Sequence, residues 1–139
     1  MNVNEVAVLL ATVLAEAVEG TIGENVFIGR IPQANTTSGL YCVATAPGSE
    51  LSESNIYSYK TVYQFEVRYQ DVDASKIYAS DQIIRSAFSQ IPFNDEINNP
   101  TKITKVAVLP LSDQDLVEAE QRVGSWSVIV TTLNNPETE

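Results

Sequence analysis

The stretch Tyr57–Gln70, YSYKTVYQFEVRYQ, decides the fold because its residue types alternate with a period of two. The odd positions are mostly apolar: Tyr59, Thr61, Tyr63, Phe65, Val67 and Tyr69. Most even positions are charged or polar: Lys60, Gln64, Glu66, Arg68 and Gln70, with Val62 the exception. This alternation predicts a strand with one buried face, as in antiparallel sheets. Because typical strands have about five or six residues, we expect part of this strand to project beyond the sheet.

A helix is predicted directly after this strand, from about Ala74 to Gln90, because its apolar residues recur at helical spacing. Asp73 is placed to cap its start, and Pro92 follows its end. Asp81 interrupts the apolar stripe. The stripe consists of Ile77, Ile84, Phe88 and Ile91, with Ala74 and Ala87 alongside.

A second helix is predicted near the start of the chain, from Val3 to Glu19, with Gly20 placed to end it. Its apolar run Val6–Ala15 is shorter than the roughly 20 residues that cross a membrane. The run lacks the preceding basic residues of a signal peptide, so we expect no secretion. Its apolar face is wide, which favours cover on more than one side, by a partner subunit or by a small core.

The remaining apolar segments predict further strands, separated by the polar loops 47–55 and 92–102. These strands are Val26–Ile31, Leu40–Ala46, Ile103–Leu109, Leu116–Val123 and Ser125–Leu133, with Gly124 as a candidate bulge or hairpin bend. The predicted fold is α+β, an antiparallel sheet with two helices packed on one face, in the order α-β-β-β-α-β-β. We expect one domain over residues 1–133 and a disordered acidic tail over 134–139.

Composition excludes several kinds of chemistry. The 139 residues contain no histidine, so Ser-His-Asp and Cys-His arrangements and His-containing zinc sites are absent. The single cysteine, Cys42, lies in an apolar strand and is expected to be a buried, inert thiol. A net charge of −10, from 18 acidic and 8 basic residues, disfavours non-specific binding to nucleic acid.

Two Asp-x-Asp pairs, Asp71/Asp73 and Asp113/Asp115, are of a type that can hold calcium or magnesium. Neither completes a calcium-binding loop: Lys76 stands where the first would need glycine. Both pairs lie at predicted element boundaries, where aspartate is favoured for capping and turns. We therefore predict no catalytic residue, no cofactor site and no metal site.

Several short phrases occur in a recognisable order. The opening helix ends in Gly20-x-x-Gly23, followed by Asn25-Val-Phe-Ile-Gly-Arg-Ile-Pro32. The strand Phe65-Glu-Val-Arg-Tyr69 leads to Asp71-x-Asp-Ala74 and a helix bearing Ala79 and Ile83/Ile84. Over most of residues 3–133 this order resembles the tail-terminator and minor capsid (tail completion) proteins of long-tailed bacteriophages.

The resemblance implies a structural virion protein and not an enzyme. Members of that family form a hexameric ring that caps the tail tube and offers a docking surface to the head–tail connector. It implies a location in the tail or neck of the virion, assembly in the host cytoplasm, and no membrane or cofactor. DNA would meet the protein only in passage through the ring, and an acidic lumen would let it pass without sticking.

For the ring we expect subunit contacts at Leu9, on the wide face of the first helix, and at Tyr57, Tyr59 and Tyr63 of the alternating strand. Tyr63 has a second interpretation as a core residue. One of the two polar loops would touch the tail tube or the head side. The alternatives are another neck or baseplate component of the same fold, or a small cytoplasmic α+β binding domain or carboxylate-dependent enzyme.

Overall fold

A computed structural model describes residues 3–31, 37–54, 59–94, 102–118 and 121–134. The α+β class and the predicted order of helices and strands are confirmed, and three strands follow the second helix. The elements are α1 (Val3–Ala17), β1 (Val26–Ile28), β2 (Leu40–Ser54), β3 (Tyr59–Asp71), α2 (Ala74–Ser89), a short 3-10 turn (Ile91–Phe93), β4 (Lys102–Val108), β5 (Ser112–Glu118) and β6 (Gln121–Asn134).

The strands form one sheet in the order β1-β2-β3-β6-β4, and β5 also pairs with β6. Every pairing is antiparallel except that of β1 with β2, which is parallel. The expectation of a wholly antiparallel sheet is corrected at this edge. A parallel neighbour needs a connection that runs back along the sheet, unlike the tight hairpin that can join antiparallel strands.

The polar segment 47–55 does not form the expected loop over its described residues. Its backbone continues β2 as far as Ser54, and residues 50–54 pair with residues 59–63 of β3. The register shifts between Thr45 and Glu50, around Pro47, which has no N–H to donate to a neighbouring strand. On its other side β3 pairs with β6 along its whole length, from Tyr59 to Asp71. The expected projection of β3 beyond the sheet is therefore corrected, since both neighbours accompany it.

Gly124 is not a break between two strands, because β6 runs through it without interruption. It lies where α2 approaches the sheet, and a Cβ atom there would come within 2.5 Å of Ile77 Cγ2. The strand predicted at Leu116–Val123 is replaced by β5, and Asp113 and Asp115 lie inside β5 rather than at an element boundary.

The core lies between the sheet and the two helices. The odd positions of β3 from Thr61 to Tyr69 are buried, as the alternation predicts. On the neighbouring strand β6, Trp126 pairs with Val67 and is fully buried. The largest fully buried side chains are Trp126, Phe65, Phe88, Leu10, Leu14, Ile77, Ile84, Ile91 and Ile103.

Helix α1 ends slightly earlier than predicted, and Gly20 is not the residue that reverses the chain. Glu19 adopts the left-handed conformation, with φ of 54°. The Gly20 N–H then donates to the Ala15 carbonyl at 2.8 Å. This is the hydrogen bond of a helix C-cap in which glycine usually takes the left-handed position.

Candidate functional site

Helix α1 presents a narrow outward stripe of exposed residues. Glu5, Val8, Thr12 and Glu16 follow one another at helical spacing and are exposed, with Val8 48% exposed. Leu9, the predicted contact residue, lies beside this stripe and is half-buried against the core. Part of the wide apolar face is therefore covered by the subunit's own core.

The three predicted contact residues of the alternating strand are not brought together on one surface. Tyr63 is 3% exposed and lies under the helices, with its ring centroid 6.5 Å from that of Phe65. The backbone of Tyr59 pairs with Ser54 and Asn134, and Tyr57 lies outside the described residues. Packing accounts for Tyr63, and subunit contact at Leu9, Tyr59 or Tyr63 stays a prediction.

The opposite side of the sheet, here called the outer face, carries no helix within the described residues. Its centre is partly apolar: Val62 and Ile129 are half-buried, Leu133 is 41% exposed, and Thr131 between them is buried. Lys60 and Lys105 are exposed beside this centre. The cross-strand pairs place these residues on one face. Between β3 and β6 the pairs are Lys60 with Leu133, Val62 with Thr131, and Gln64 with Ile129. Between β4 and β6, Lys105 pairs with Thr131.

Towards the other end of the outer face, three polar side chains form a small network. Arg68 Nε donates to Glu66 Oε1 at 2.8 Å, and Ser125 Oγ donates to the same oxygen at 2.8 Å. Burial raises the pKa of Glu66, but these two hydrogen bonds and the Arg68 charge outweigh burial, so the pKa lies below its usual value. Glu66 is therefore held as an anion, which is unsuited to act as a general acid near neutral pH.

A pocket of about 360 Å³ adjoins this network, where the segment 29–31 passes over the sheet. Its lining includes Arg30, Cys42, Glu66 and Arg68. Cys42 is buried, as predicted, and burial raises the pKa of its thiol to about 11. Because the thiolate is the nucleophilic form, this cysteine is unreactive near neutral pH.

A buried polar cluster joins the ends of β2 and β3 to α2, and sequence reasoning missed it. Tyr69 donates from its hydroxyl to Asp71 Oδ2 at 2.6 Å, and the Tyr41 hydroxyl lies 2.8 Å from Ser80 Oγ. The two tyrosine rings are 4.4 Å apart. Burial and the neighbouring Asp71 carboxylate raise the pKa of Tyr69. The sequence contains one indication of this cluster: Ser80, a serine at a position where the helical spacing of α2 predicts an apolar core residue.

The same part of the molecule explains the first Asp-x-Asp pair. Asp71 Oδ1 accepts the N–H of Asp73 at 3.0 Å, and Asp73 Oδ1 accepts the N–H of Ser75 at 2.9 Å. The predicted N-cap at Asp73 is confirmed. Both carboxylates accept backbone N–H groups where the chain passes from β3 into α2. Aspartate commonly has this capping role at the start of a helix.

Asp81, which interrupts the apolar stripe of α2, ties the helix to the sheet. Its Oδ1 accepts the Trp126 indole N–H at 2.8 Å and the Arg85 Nε–H at 3.1 Å. Arg85 also donates to the carbonyls of Val108 and Leu109, at 2.9 and 3.3 Å. Burial raises the pKa of Asp81, but the hydrogen bonds from Trp126 and Arg85 outweigh burial and lower it.

Within the part of the chain that is described, no three Cys, Asp or Glu side chains are grouped so as to hold a metal ion. In the same part, no helix has both the length and the hydropathy needed to cross a bilayer.

The fold thus defines an α+β protein with two helices on one face of a mixed sheet and a partly apolar opposite face. The chain matches no protein-family profile and no curated protein sequence. Among solved structures it is similar to a chain from the virion of a native gene transfer agent particle, with 12% sequence identity and a TM-score of 0.48. The similarity covers 88% of this chain and 84% of that one.

Proposed function

We propose that this protein is a structural subunit of a bacteriophage virion, a tail terminator that closes into a homo-oligomeric ring. The ring would cap the tail tube and join it to the head–tail connector. The sequence phrases from Gly20 to Pro32 and from Phe65 to Ala74 support this family. Over its described residues 20–31, the first phrase contains the connection from α1 to β1 and β1 itself, and the second contains the end of β3 and the start of α2.

The observation that carries the proposal is that, among the described residues, exposed apolar side chains occur on several surfaces of one subunit, two of which lie on opposite sides of the sheet. The first is the outward stripe of α1 around Val8, and the second is the outer face around Leu133. A closed ring requires heterologous contacts, in which one surface of each subunit meets a different surface of the next. A subunit with a single uncovered surface would form a twofold dimer instead.

The electrostatics agree with a passage for DNA. The chain carries a net charge of −10. Neighbouring acidic surfaces around a lumen would repel the phosphate backbone and keep it from binding during transit. The contact between protein and DNA would then be one of shape, with no base recognition.

The test is the mass of the protein in solution, by light scattering on a sizing column over a wide concentration range, with negative-stain images of each peak. Six copies of the 15.2 kDa chain give about 91 kDa, and annular particles of that mass are the expected result. Isolated tail tubes are added in a second series, because a ring of this kind can require its tube for assembly. A chain that stays monomeric alone and with tubes would contradict the proposal.

A further inference from the structure

We infer that the pocket beside the Glu66 network binds a small organic anion, whose carboxylate or phosphate group is held by Arg30 and Arg68. The pocket lies within one subunit, so this site does not depend on the proposed ring. Its volume of about 360 Å³ is in the range that small molecules occupy in proteins.

Two parts of the sheet bring the arginines of the pocket together. Arg68 lies on the outer face of β3, opposite Cys42 of β2. Arg30 comes from the edge of the sheet, where the Gly29 N–H donates to the Val43 carbonyl at 2.9 Å. Gly29 has φ of 93°, a left-handed conformation that glycine adopts at little cost. This turn directs the chain away from the edge of β2, and Arg30 then lines the pocket.

Both guanidinium groups keep hydrogen-bond donors for a ligand. Arg68 donates from Nε to Glu66 Oε1 at 2.8 Å, and its Nη1 and Nη2 donate to no acceptor in the described part of the chain. The exposed Arg30 side chain likewise donates to no acceptor among the described residues. Two N–H groups of one guanidinium can donate in parallel to two oxygens of a carboxylate or a phosphate.

The charge of the lining favours an anion, although the chain as a whole is acidic. The net charge of the chain is −10, and two of its four arginines line this pocket. Glu66 is the single acid in the described lining, and Arg68 compensates its charge at 2.8 Å. The Ser125 hydroxyl donates to the same Glu66 oxygen, so the carboxylate is fixed and in turn orients Arg68. Arg30 therefore leaves the pocket with a net positive charge.

The rest of the lining suits an organic molecule more than a bare ion. Gln70 contributes an amide, whose Nε2 already donates to the Thr37 carbonyl at 2.9 Å. A mainly apolar lining with a few polar groups that orient the ligand is typical of small-molecule sites. The expected ligand therefore has one oxyanion group and a short apolar part. The apolar side chains of the lining are Ile31, Cys42, Ala44 and Val123.

The test is a titration of the unaltered chain at constant ionic strength and mildly acidic pH, followed by NMR of the arginine Nε–H signals. The probes are butyrate, butyl phosphate and inorganic phosphate. We expect a butyl compound to shift the signals of Arg30 and Arg68 saturably, and to leave that of Arg85 in place. Inorganic phosphate is expected to bind more weakly, because it makes no contact with the apolar lining.

Two variants each remove one guanidinium group. We expect Arg30→Gln and Arg68→Gln each to weaken binding of the butyl compound by about tenfold, the usual effect of one hydrogen bond to a charged group. Arg30→Gln is the cleaner variant, since Arg68→Gln also deprives Glu66 of its ion pair. The matched control is Lys76→Gln, which removes one exposed positive charge on α2, and its binding is expected to equal that of the unaltered chain. Circular dichroism checks that every variant is folded.

The comparison of probes decides the chemistry of the ligand. Saturable binding of butyrate alone supports a carboxylate ligand, and binding of butyl phosphate alone supports a phosphate ligand. Equal binding of inorganic phosphate and the butyl compounds would show that the apolar lining is not used, and would overturn the inference. Failure of every probe to bind, or equal binding by the Arg30→Gln and Lys76→Gln variants, would overturn it as well. None of these results bears on the ring, which is tested by the mass of the protein in solution.

Discussion

At the scale of single residues, the end of α1 contains a conformation that its side chain does not favour. Glu19 has φ of 54°, a left-handed conformation that costs an L-residue roughly 1–2 kcal/mol and glycine little. Glycine one position later, at Gly20, does not relieve this cost. The two residues show how a helix end can be predicted within two positions while the residue that reverses the chain is missed.

We predict that Glu19→Gly stabilises the protein by about 0.5–1 kcal/mol, because the gain at the left-handed position exceeds the greater freedom of glycine in the unfolded chain. The expected rise in melting temperature is about 2–4 °C for a chain of this size. Glu19→Ala is the control, since it removes the carboxylate and keeps the strained conformation. Equal stabilisation by both changes would show that charge, and not backbone conformation, is responsible.

Cys42 provides a second prediction at this scale. With a pKa of about 11, its thiol is expected to react with iodoacetamide at pH 8 far more slowly than a free thiol, and at an ordinary rate once urea unfolds the chain. Burial favours the protonated thiol, so this group's contribution to stability is complete below the unfolded pKa of about 8.5 and is lost as pH rises towards 11. Rapid labelling of the folded protein at pH 8 would disprove the buried placement.

At the scale of elements, α2 contacts the sheet through polar side chains as well as apolar ones, and Asp81 is one of these polar contacts. Asp81 accepts hydrogen bonds from both Trp126 and Arg85. Trp126 is fully buried, so its indole N–H would lose its acceptor if the carboxylate were removed.

We predict that Asp81→Ala destabilises the protein by about 2–3 kcal/mol, since a buried donor is left unpaired and a charge-assisted hydrogen bond is lost. Asp81→Asn keeps an oxygen acceptor and is expected to cost about half as much. The measurement is urea unfolding followed by the fluorescence of Trp126, the only tryptophan of the chain. If the two variants are equally stable, the hydrogen bond to the indole does not hold the helix.

The close approach of α2 to β6 gives another prediction. Gly124→Ala would place a methyl group 2.5 Å from Ile77 Cγ2, so we expect a loss of about 1–3 kcal/mol. In an Ile77→Ala background the same change is expected to cost less than half as much, because the nearest obstructing atom is gone and the next, Leu111 Cδ1, lies at 3.1 Å. Additive losses in the double-mutant cycle would show that the two residues do not compete for space.

Much of the fold follows from local patterns, and the exceptions have physical causes. The alternation of β3 and the cap at Asp73 are confirmed because each depends on a residue's own neighbours in sequence. The extension of β2 through Pro47 was missed, since proline in a polar segment favours a loop unless a bulge accommodates it. The role of Asp81 was also missed, because its partner Trp126 is 45 residues away. Long-range contacts of this kind leave no local pattern.

At the scale of the whole molecule, the stability that several carboxylates contribute depends on pH in the same direction. The pKa of Asp73 is lowered by hydrogen bonds from Ser75, and the pKa values of Glu66 and Asp81 are lowered although burial opposes the shift. An unfolded chain therefore binds more protons than the folded one in the acid range. Stability from these groups is present above their unfolded pKa of about 4 and is lost as pH falls through the lower folded values.

We predict that the urea midpoint, measured at constant ionic strength, is lower at pH 3 than at pH 5. Protonation also reduces the repulsion within a chain of net charge −10, which acts in the opposite direction. Asp73→Asn retains a capping side chain but removes one titrating group, so its decline is expected to be shallower. A midpoint that rises on acidification would show that general repulsion outweighs the specific hydrogen bonds.

The position of β6 in the sheet has a consequence for synthesis of the chain. β6 pairs with β3, β4 and β5, all of which precede it in sequence. A ribosome therefore produces three strands before the strand that joins them, and the chain cannot complete its sheet while β6 is still being made. Until then the nascent chain has unpaired strand edges that can pair with other chains. Growth conditions that slow translation of β6 should therefore favour inclusion bodies, and chaperone capture of the nascent chain should protect it.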